Sequence, residues 1–308
     1  MNHHNLLAIV GPTGIGKTEV AVAIARKLSA EIVVVDSMQV YRGMDIGTGK
    51  PPISVRTEIP HHGLDLVEPE EEFDVLRYVQ EIKPLLEEVQ SKGRRTVLVG
   101  GCGLYLKVLL EGLCHAPGRD PLLRDRLTAE GKRMSSGVLH KRLEAVDPES
   151  AQRIHPNDLR RIVRALEVYH LTGRPMTLWQ KETVPFLDSL KDCPVFGLTR
   201  DRNRLYERIQ ARVDGWISAG WVDEARALFA RPLSPTAQGA LGYRELFDHF
   251  RGRTDWTATQ ALIHQNTRQY AKRQWSWFRQ DPRVRWTSVD GQHPEAVAAE
   301  ILSLADVA

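Results

Sequence analysis

The segment from Gly11 to Thr18 constrains the fold of this chain more than any other part of the sequence. It reads GPTGIGKT and fits the pattern G-x-x-x-x-G-K-[ST] of a phosphate-binding loop. The apolar residues 6–10 before it predict a buried strand, and residues 19–28 after it predict a helix. Glycines let backbone N–H groups turn toward an anion, and a helix N-terminus adds positive potential. We therefore expect a di- or triphosphate to bind at Gly11, Pro12, Thr13, Gly14, Ile15, Gly16, Lys17 and Thr18.

The loop also predicts a metal ion, and the strands that follow it bear on whether the protein hydrolyses nucleotides. In loops of this kind the hydroxyl after the lysine binds a magnesium ion that bridges the phosphates, so Thr18 is the candidate ligand. A hydrolytic NTPase usually has a further strand that ends in aspartate, which also holds the metal. Here the buried run 96–99 is followed by Gly100 and Gly101 instead. The sequence therefore argues against a motor or switch ATPase.

Asp36 is the candidate general base. It follows four β-branched residues, so we place it at the carboxyl end of a second parallel strand, where open α/β sheets bind their ligands. A carboxylate there can take a proton from an O–H or N–H group while the loop holds the electrophile. The alternative is a cap or turn residue at the end of a strand.

The order of strands and helices predicts the fold class. Buried strands alternate with helices, which is typical of a doubly wound parallel sheet. Helical patterns without strand signals run from about 120 to 185, in three stretches at about 121–133, 138–146 and 157–171. A strand pattern resumes at 194–199. We therefore predict an α/β protein, a P-loop doubly wound parallel sheet with a helical insertion domain. The expected parts are 1–119 (first part of the P-loop core), 120–190 (helical insertion) and 191–308 (core completion with basic C-terminal helices).

Composition fits a protein that works inside the cell. The 308 residues carry a net charge of +3, which permits a nucleic-acid partner without requiring one. Cys102, Cys114 and Cys193 show no metal-binding spacing and are best explained as reduced thiols. The sequence has no targeting segment and no apolar run of membrane-spanning length. We expect a cytoplasmic monomer that does not bind membranes.

Two basic segments favour an RNA partner. The segment 266–286 interleaves cations with aromatic residues, which suits phosphates and unstacked bases, and it contains Lys272 and Arg273. A helix with an aromatic core face and a charged outer face explains this segment equally well. A second basic group lies within the insertion and consists of Arg160, Arg161 and Arg164, while Arg119, Arg124 and Arg126 open the insertion. The repetition of cations outside the sheet favours a polyanionic partner.

Four further residues are candidates with weaker signals. Arg212 lies on a basic helix and could stabilise a leaving diphosphate, although residue type alone does not separate it from Arg204 or Arg208. The pair His61-His62 lacks partners at ligand spacing, so we interpret it as turn or cap residues. Cys102 is either an exposed thiol of lowered pKa or, as we expect, a small packing residue.

Together these motifs resemble the bacterial tRNA dimethylallyltransferases, in register from about Leu6 to Trp286. The loop alone is not specific, whereas the co-linear set is. The segments that carry the resemblance are Gly11–Thr18, Asp36–Tyr41, Asp45–Thr48 with Lys50-Pro51, Val99–Gly101, His155–Asp158 with Arg161 and Arg164–Glu167, Gly242-Tyr243, and Ala271–Gln274.

The resemblance implies a reaction and assigns roles to residues. A dimethylallyl group is expected to pass from dimethylallyl diphosphate to N6 of the adenosine on the 3′ side of a tRNA anticodon. Asp36 is then the base, Thr13, Lys17 and Thr18 hold the diphosphate with Mg²⁺, and Arg212 assists the leaving group. The segments implied to contact the tRNA anticodon stem-loop contain Asp36, Ser37, Met38, Gln39, Arg124, Arg160, Arg161, Ile162, Val163, Arg164, Gly239, Ala240, Leu241, Gly242, Tyr243 and Arg244.

One residue departs from the family pattern, and three other functions compete. The family usually has threonine where this chain has Cys102, so we keep Cys102 as a wall of the tRNA site without a polar role. A small-molecule kinase could use the same loop and Asp36, but it has no use for two basic modules. An isopentenyltransferase acting on free adenine nucleotides should lack the insertion. An RNA-binding NTP-dependent switch is disfavoured by the missing aspartate.

Overall fold

The computed structural model describes residues 5–114, 116–118 and 120–305 of the chain. The chain divides into two compact units. The sheet unit contains the chain up to Leu110 and from Phe186 onward, and the helical unit is Glu111–Pro185. Within the described ranges, no helix is long and apolar enough to cross a membrane.

Six parallel strands form one sheet, which confirms the predicted α/β class with a parallel sheet. Their spatial order is β3-β2-β4-β1-β5-β6. Every residue of β1, β2 and β4 is buried, so both faces of the sheet centre are covered, as a doubly wound sheet requires. The strands are β1 Leu6–Val10, β2 Glu31–Val35, β3 His61–His62, β4 Thr96–Gly100, β5 Val195–Thr199 and β6 Val284–Ser288.

Ten helices belong to the sheet unit as described. Helices α1 and α15 pack together over one face of the sheet, where Leu7, Ile9 and Ile32 belong to the same buried cluster as Ile24 and Ile301. These helices are α1 Lys17–Leu28, α2 Ile53–Glu58, α3 Val75–Ser91, α4 Gly103–Glu111, α10 Arg202–Ser218, α11 Trp221–Phe229, α12 Pro235–Gln238, α13 Tyr243–Phe250, α14 Trp256–Phe278 and α15 Pro294–Leu304, with α4 reaching the boundary of the unit.

The helical unit contains five helices in its described part. Its core is formed by Leu127, Leu139, Leu143, Ile162 and Leu166, among others. Three of the helices match the predicted helical stretches, while α7 and α9 are short and were not predicted. The helices are α5 Pro121–Met134, α6 Ser136–Val146, α7 Pro148–Arg153, α8 Leu159–Thr172 and α9 Met176–Lys181.

The sheet topology brings three chain segments to one edge. Because the strands are parallel, the segments that follow β1, β2 and β4 all leave the sheet at its carboxyl edge. These segments begin at Gly11, Asp36 and Gly101. The pair His61-His62 differs from the expectation, because both residues pair with β2 as a short edge strand instead of forming a turn.

Candidate active site

The loop between β1 and α1 has the backbone geometry that its glycines make possible. Gly11, Gly14 and Gly16 have φ of 143°, 78° and 111°, a region that other residues rarely adopt. Gly16 is the N-cap of α1, so the first amides of this helix face the loop. The Lys17 ammonium donates to the Pro12 carbonyl at 2.9 Å, which folds the side chain back over the loop.

Asp36 is half-buried beside two cations. Its Oδ1 accepts hydrogen bonds from the backbone N–H of Met38 (2.8 Å) and Gln39 (3.3 Å). Burial raises the pKa of Asp36 above the usual value for aspartate, against the opposing effect of these N–H groups and of Lys17 and Arg212. Burial, and to a lesser extent the charge of Arg212, lowers the pKa of Lys17 to about 8. The three groups therefore share one water-poor electrostatic environment.

Arg212 lies between an aromatic ring and a glycine. The centre of its guanidinium is 4.5 Å from the ring centroid of Trp216. On Gly49, a Cβ would come within 2.0 Å of Arg212 Nη2, so only glycine leaves room for this guanidinium. Burial lowers the pKa of Arg212, but the guanidinium group of arginine stays charged in proteins. Trp216 is a site residue that the sequence did not reveal.

A cavity of about 450 Å³ lies at the carboxyl edge of the sheet. Its walls contain residues from the loop, from the segment after β2, and from α10 and α14. The apolar part is formed by Ala21, Ile32, Val34 and Val99. The sequence-predicted residues that line the cavity are Thr13, Lys17, Thr18, Asp36, Ser37, Met38, Gln39, Arg212, Gly239, Ala240, Leu241, Tyr243, Arg244 and Arg273.

Other predicted residues of the sheet unit lie behind or beside these walls. The lining of the β4 turn ends at Gly101, one residue before Cys102. Burial raises the pKa of the Cys102 thiol to about 11, which favours a packing residue over a reactive thiol. Lys272 is exposed on α14. The backbone N–H of Gly242 donates to Glu245 Oε2 at 2.7 Å. Gly11, Pro12, Gly14, Ile15 and Gly16 shape the loop without lining the cavity.

A carboxylate that sequence reasoning missed holds one wall in place. Glu224 Oε2 accepts from the backbone N–H groups of Asp45 and Ile46, both at 2.9 Å, and Oε1 accepts from that of Gly47 at 3.2 Å. The Tyr243 hydroxyl also donates to Glu224 Oε1. Glu224 therefore fixes the segment that contains Gly47 to helix α11.

Gln274 is a second residue that was not singled out, although it closes one of the recognised motifs. Its side chain is buried on α14 and lines the cavity. Gln274 Oε1 accepts from the backbone N–H of Thr13 at 2.8 Å, and Nε2 donates to the Gly101 carbonyl at 2.9 Å. Ala271, Gln274 and Phe278 share the buried face of α14, so a polar residue in an apolar stripe was the available signal.

His61 also lines the cavity. Its Nδ1 lies 2.6 Å from the Ile59 carbonyl, which requires the hydrogen on Nδ1 and makes Nε2 the acceptor in the neutral ring. Burial lowers the pKa of His61, which favours the neutral ring. In the part of the chain that the structure describes, no group of three or more His, Cys, Asp or Glu residues could hold a metal ion.

The predicted tRNA residues of the helical unit divide between its surface and its core. Arg124 and Arg164 donate to the same oxygen of the buried Glu167, at 2.6 and 2.8 Å. Arg160 and Arg161 are exposed at the start of α8. Arg119 lies outside the described residues. Ile162 and Val163 are 0% and 2% exposed and pack in the core of the unit, so their contact with tRNA stays a prediction.

Sequence comparisons identify relatives over nearly the whole chain. A family profile described as "IPP transferase" matches residues 39–281, and one described as "Isopentenyl transferase" matches residues 4–58. The tRNA dimethylallyltransferase of Symbiobacterium thermophilum is 47% identical over 293 residues, covering 94% of this chain and 91% of that protein. The tRNA dimethylallyltransferase of Geobacter metallireducens is 44% identical over 289 residues, covering 93% of each.

Solved structures of similar fold also come from enzymes that transfer prenyl groups to tRNA. The full-length tRNA isopentenylpyrophosphate transferase of Bacillus halodurans matches with a TM-score of 0.71 and 35% identity, covering 98% of this chain and 97% of that one. A eukaryotic dimethylallyltransferase, described as acting on tRNA, matches with a TM-score of 0.79 and 25% identity, covering 98% of this chain and 78% of that one.

Proposed function

Because this chain belongs to the tRNA dimethylallyltransferase family, we propose that it transfers a dimethylallyl group from dimethylallyl diphosphate to tRNA at the cavity of the sheet unit. The acceptor is the N6 amine of the adenosine on the 3′ side of the anticodon. The amine attacks C1 of the prenyl group, the C1–O bond breaks, and diphosphate leaves. One proton leaves the amine, so the reaction needs a base and a cationic site for the leaving group.

The loop and two cations form the diphosphate site of this proposal. The amides at the start of α1 face the loop, and Lys17 and Arg212 line the cavity beside it. A cationic guanidinium and an ammonium offset the charge that develops on the leaving oxygens. Arg212 is held by Trp216 and Gly49, so its position does not depend on a bound ligand.

Thr18 is the protein ligand that fits Mg²⁺ in this proposal. Its hydroxyl is a hard oxygen donor, and Thr18 lines the same cavity as Lys17. Mg²⁺ commonly keeps several waters and takes substrate phosphates as ligands, so Thr18 would hold it together with the diphosphate. When bound, the ion neutralises charge on the diphosphate.

Asp36 is the base of this proposal. Its Oδ1 is oriented by the N–H groups of Met38 and Gln39, which leaves Oδ2 for the N6 amine. Burial raises the pKa of Asp36, which makes its carboxylate a better proton acceptor than an exposed aspartate. After transfer, the proton resides on Asp36 while diphosphate remains at the loop.

The rest of the cavity suits the two organic groups. The apolar wall of Ala21, Ile32, Val34 and Val99 accepts the five-carbon prenyl chain. A base must leave the anticodon-loop stack to reach a recessed carboxylate, so the target adenosine is flipped out. Arg273 lines the cavity although it is exposed, which suits a contact with a phosphate near the flipped nucleotide.

The family match disfavours the competing functions. It spans residues 39–281 and therefore includes the sequence of the helical unit, which an enzyme for free adenine nucleotides should lack. A small-molecule kinase would use neither this unit nor the relatives' tRNA chemistry. The single observation that carries the mechanism is the common cavity of Lys17, Asp36 and Arg212.

The reaction is tested with the purified protein, Mg²⁺, dimethylallyl diphosphate and unmodified anticodon stem-loop RNA, followed by nucleoside mass spectrometry. The wild-type protein should add one prenyl mass to one adenosine. Asp36→Asn keeps the acceptor oxygen for the two N–H groups but cannot take a proton, so turnover should fall by about 10²–10⁴-fold. Affinity for the RNA, measured by gel shift, should stay within about twofold of wild type.

Asp192→Asn is the matched control, because Asp192 is exposed and does not line the cavity. It should turn over at the wild-type rate. A wild-type protein that yields no prenylated adenosine would refute the reaction. Wild-type turnover in Asp36→Asn would refute the base assignment alone.

A further inference from the structure

Gln274 connects parts of the cavity that are far apart in sequence. Its amide joins Thr13 in the diphosphate loop to Gly101 after β4, and its own helix carries Tyr270 and Arg273 into the cavity wall. The side chain is buried, and its hydrogen bonds to Thr13 and Gly101 are of ordinary length. Nothing in the mechanism above uses this residue.

We propose that Gln274 is a positioning residue for prenyl transfer, which holds the diphosphate loop in register with the helix that faces the RNA. This inference rests on the proposed function of the cavity. The Thr13 N–H is committed to Gln274 and the Ile15 N–H donates to the Pro12 carbonyl, so the amides at the start of α1 are the main ones that remain for the diphosphate. The contact therefore orients the loop before a ligand arrives. Such preorganisation favours binding of the transition state.

The Gln274 amide performs both halves of this contact without a change of protonation. Oε1 accepts from Thr13 and Nε2 donates to Gly101, whereas an ionised carboxylate only accepts and a thioether makes neither bond well. The chain also leaves space for the amide. A Cβ on Gly101 would lie 2.2 Å from Gln274 Nε2, so no other residue fits at 101 while the amide occupies its place.

The first test compares Gln274→Met with the wild type in single-turnover assays at varied dimethylallyl diphosphate. Methionine preserves length and apolar packing but removes both hydrogen bonds. We expect kcat/KM for dimethylallyl diphosphate to fall by about tenfold to a hundredfold, since each bond contributes roughly a factor of ten. Affinity for the anticodon stem-loop RNA should stay within about twofold of wild type, because the amide contacts the diphosphate loop of the protein and not the RNA.

The pH dependence of the Gln274→Glu variant separates a role of the hydrogen bonds from a role in packing alone. An ionised carboxylate faces the Gly101 carbonyl without a proton to donate, whereas the protonated acid can donate to Gly101 and accept from Thr13. Burial raises the pKa of a carboxyl group, so the introduced acid should titrate within the range of the assay. The defect relative to wild type should therefore shrink several-fold between pH 8 and pH 6.

Titration of the neighbouring groups should not produce the same pH dependence. The charged or titratable groups around the amide are Tyr270 and Arg273 on its own helix, Lys17, Asp36 and Arg212 across the cavity, and Cys102 beside Gly101. All of them are present in both proteins, so their titration largely cancels in the ratio of variant to wild type. Gln274→Met should show a defect that does not depend on pH.

Gln265 provides the matched control, because it is exposed on the same helix and does not line the cavity. Gln265→Met and Gln265→Glu should both keep wild-type kinetics. A second, independent variant is Gly101→Ala, whose Cβ must displace the amide. If it acts through Gln274, its loss should not add to that of Gln274→Met.

Several outcomes would overturn the inference. Gln274→Met with kcat/KM within about twofold of wild type would do so, as would a defect in Gln274→Glu that stays constant from pH 8 to pH 6. Additive losses in the Gly101→Ala/Gln274→Met double variant would also contradict it. These results leave wild-type prenylation intact, whereas a wild-type protein without prenylation would refute the proposed function and this inference together.

Discussion

Replacing Trp216 tests whether Arg212 acts on the leaving group. The guanidinium centre is 4.5 Å from the Trp216 ring centroid, well within the range of a cation–π contact. Burial lowers the pKa of Arg212, which means that its charge is costly here and that the ring face offsets part of this cost. Trp216→Leu removes the ring face while keeping an apolar side chain, so the guanidinium is free to leave its position.

The expected magnitude follows from the burial of this pair. A desolvated cation–π contact contributes about 2 kcal/mol, and about 1.4 kcal/mol corresponds to a factor of ten. If Arg212 stabilises the leaving diphosphate, Trp216→Leu should lower kcat/KM for dimethylallyl diphosphate by roughly 30-fold. Trp216→Phe should lose less, because phenylalanine keeps a weaker aromatic face. Single-turnover formation of prenylated adenosine measures both.

A double-mutant cycle separates this effect from general damage. If the ring works through Arg212, Trp216→Leu should have little further effect in an Arg212→Gln background, which has no cation for the ring to hold. Tyr206→Leu is the control, because it removes the Arg202–Tyr206 cation–π pair of the same helix, 5.3 Å apart and outside the cavity lining. Wild-type kinetics in Trp216→Leu, or additive losses in the cycle, would refute the reasoning.

Two further predictions concern pH and stability. Since Asp36 acts as a base and its pKa is raised, kcat/KM should fall as pH drops through a value above the usual 3.9 or so, and a pH profile that stays flat to pH 4 would contradict this. Glu167→Gln should lower the free energy of unfolding by about 2 kcal/mol in thermal melts, because Arg124 and Arg164 lose their shared carboxylate, while Glu182→Gln on the surface should change it by less than about 0.5 kcal/mol.

The pH dependence of the second prediction has a defined sign. Burial alone would raise the pKa of Glu167, but the hydrogen bonds from Arg124, Arg164 and the Asp120 N–H outweigh it and hold the pKa below the usual value. This contribution to stability is therefore complete above the unfolded pKa of about 4.3 and is lost as pH falls through the folded value. Melts of Glu167→Gln and wild type should converge at acid pH.

The sheet and the diphosphate loop could be predicted because their signals are local. Four β-branched residues before Asp36 and the apolar run before Gly11 each indicate a strand without reference to distant residues. Parallel strands then place both segments at one edge of the sheet, so the cavity follows from topology. The bonds of Gln274 to Thr13 and of Glu224 to Asp45 span 261 and 179 residues, and no local pattern encodes them.

Helix α8 shows that one recognised motif can contain both core residues and exposed residues. Residues 160–164 form one motif, but a period of 3.6 residues divides them between two faces of the helix. Ile162 and Val163 pack inward, and Arg164 turns to Glu167, which it shares with Arg124. The exposed cations at the start of the helix are Arg160 and Arg161. Arg161 Nε lies 3.3 Å from Asp158 Oδ2. The motif therefore contains residues that stabilise the helical unit and residues that could bind an anionic partner. The burial and ion pairs of each side chain distinguish the two groups.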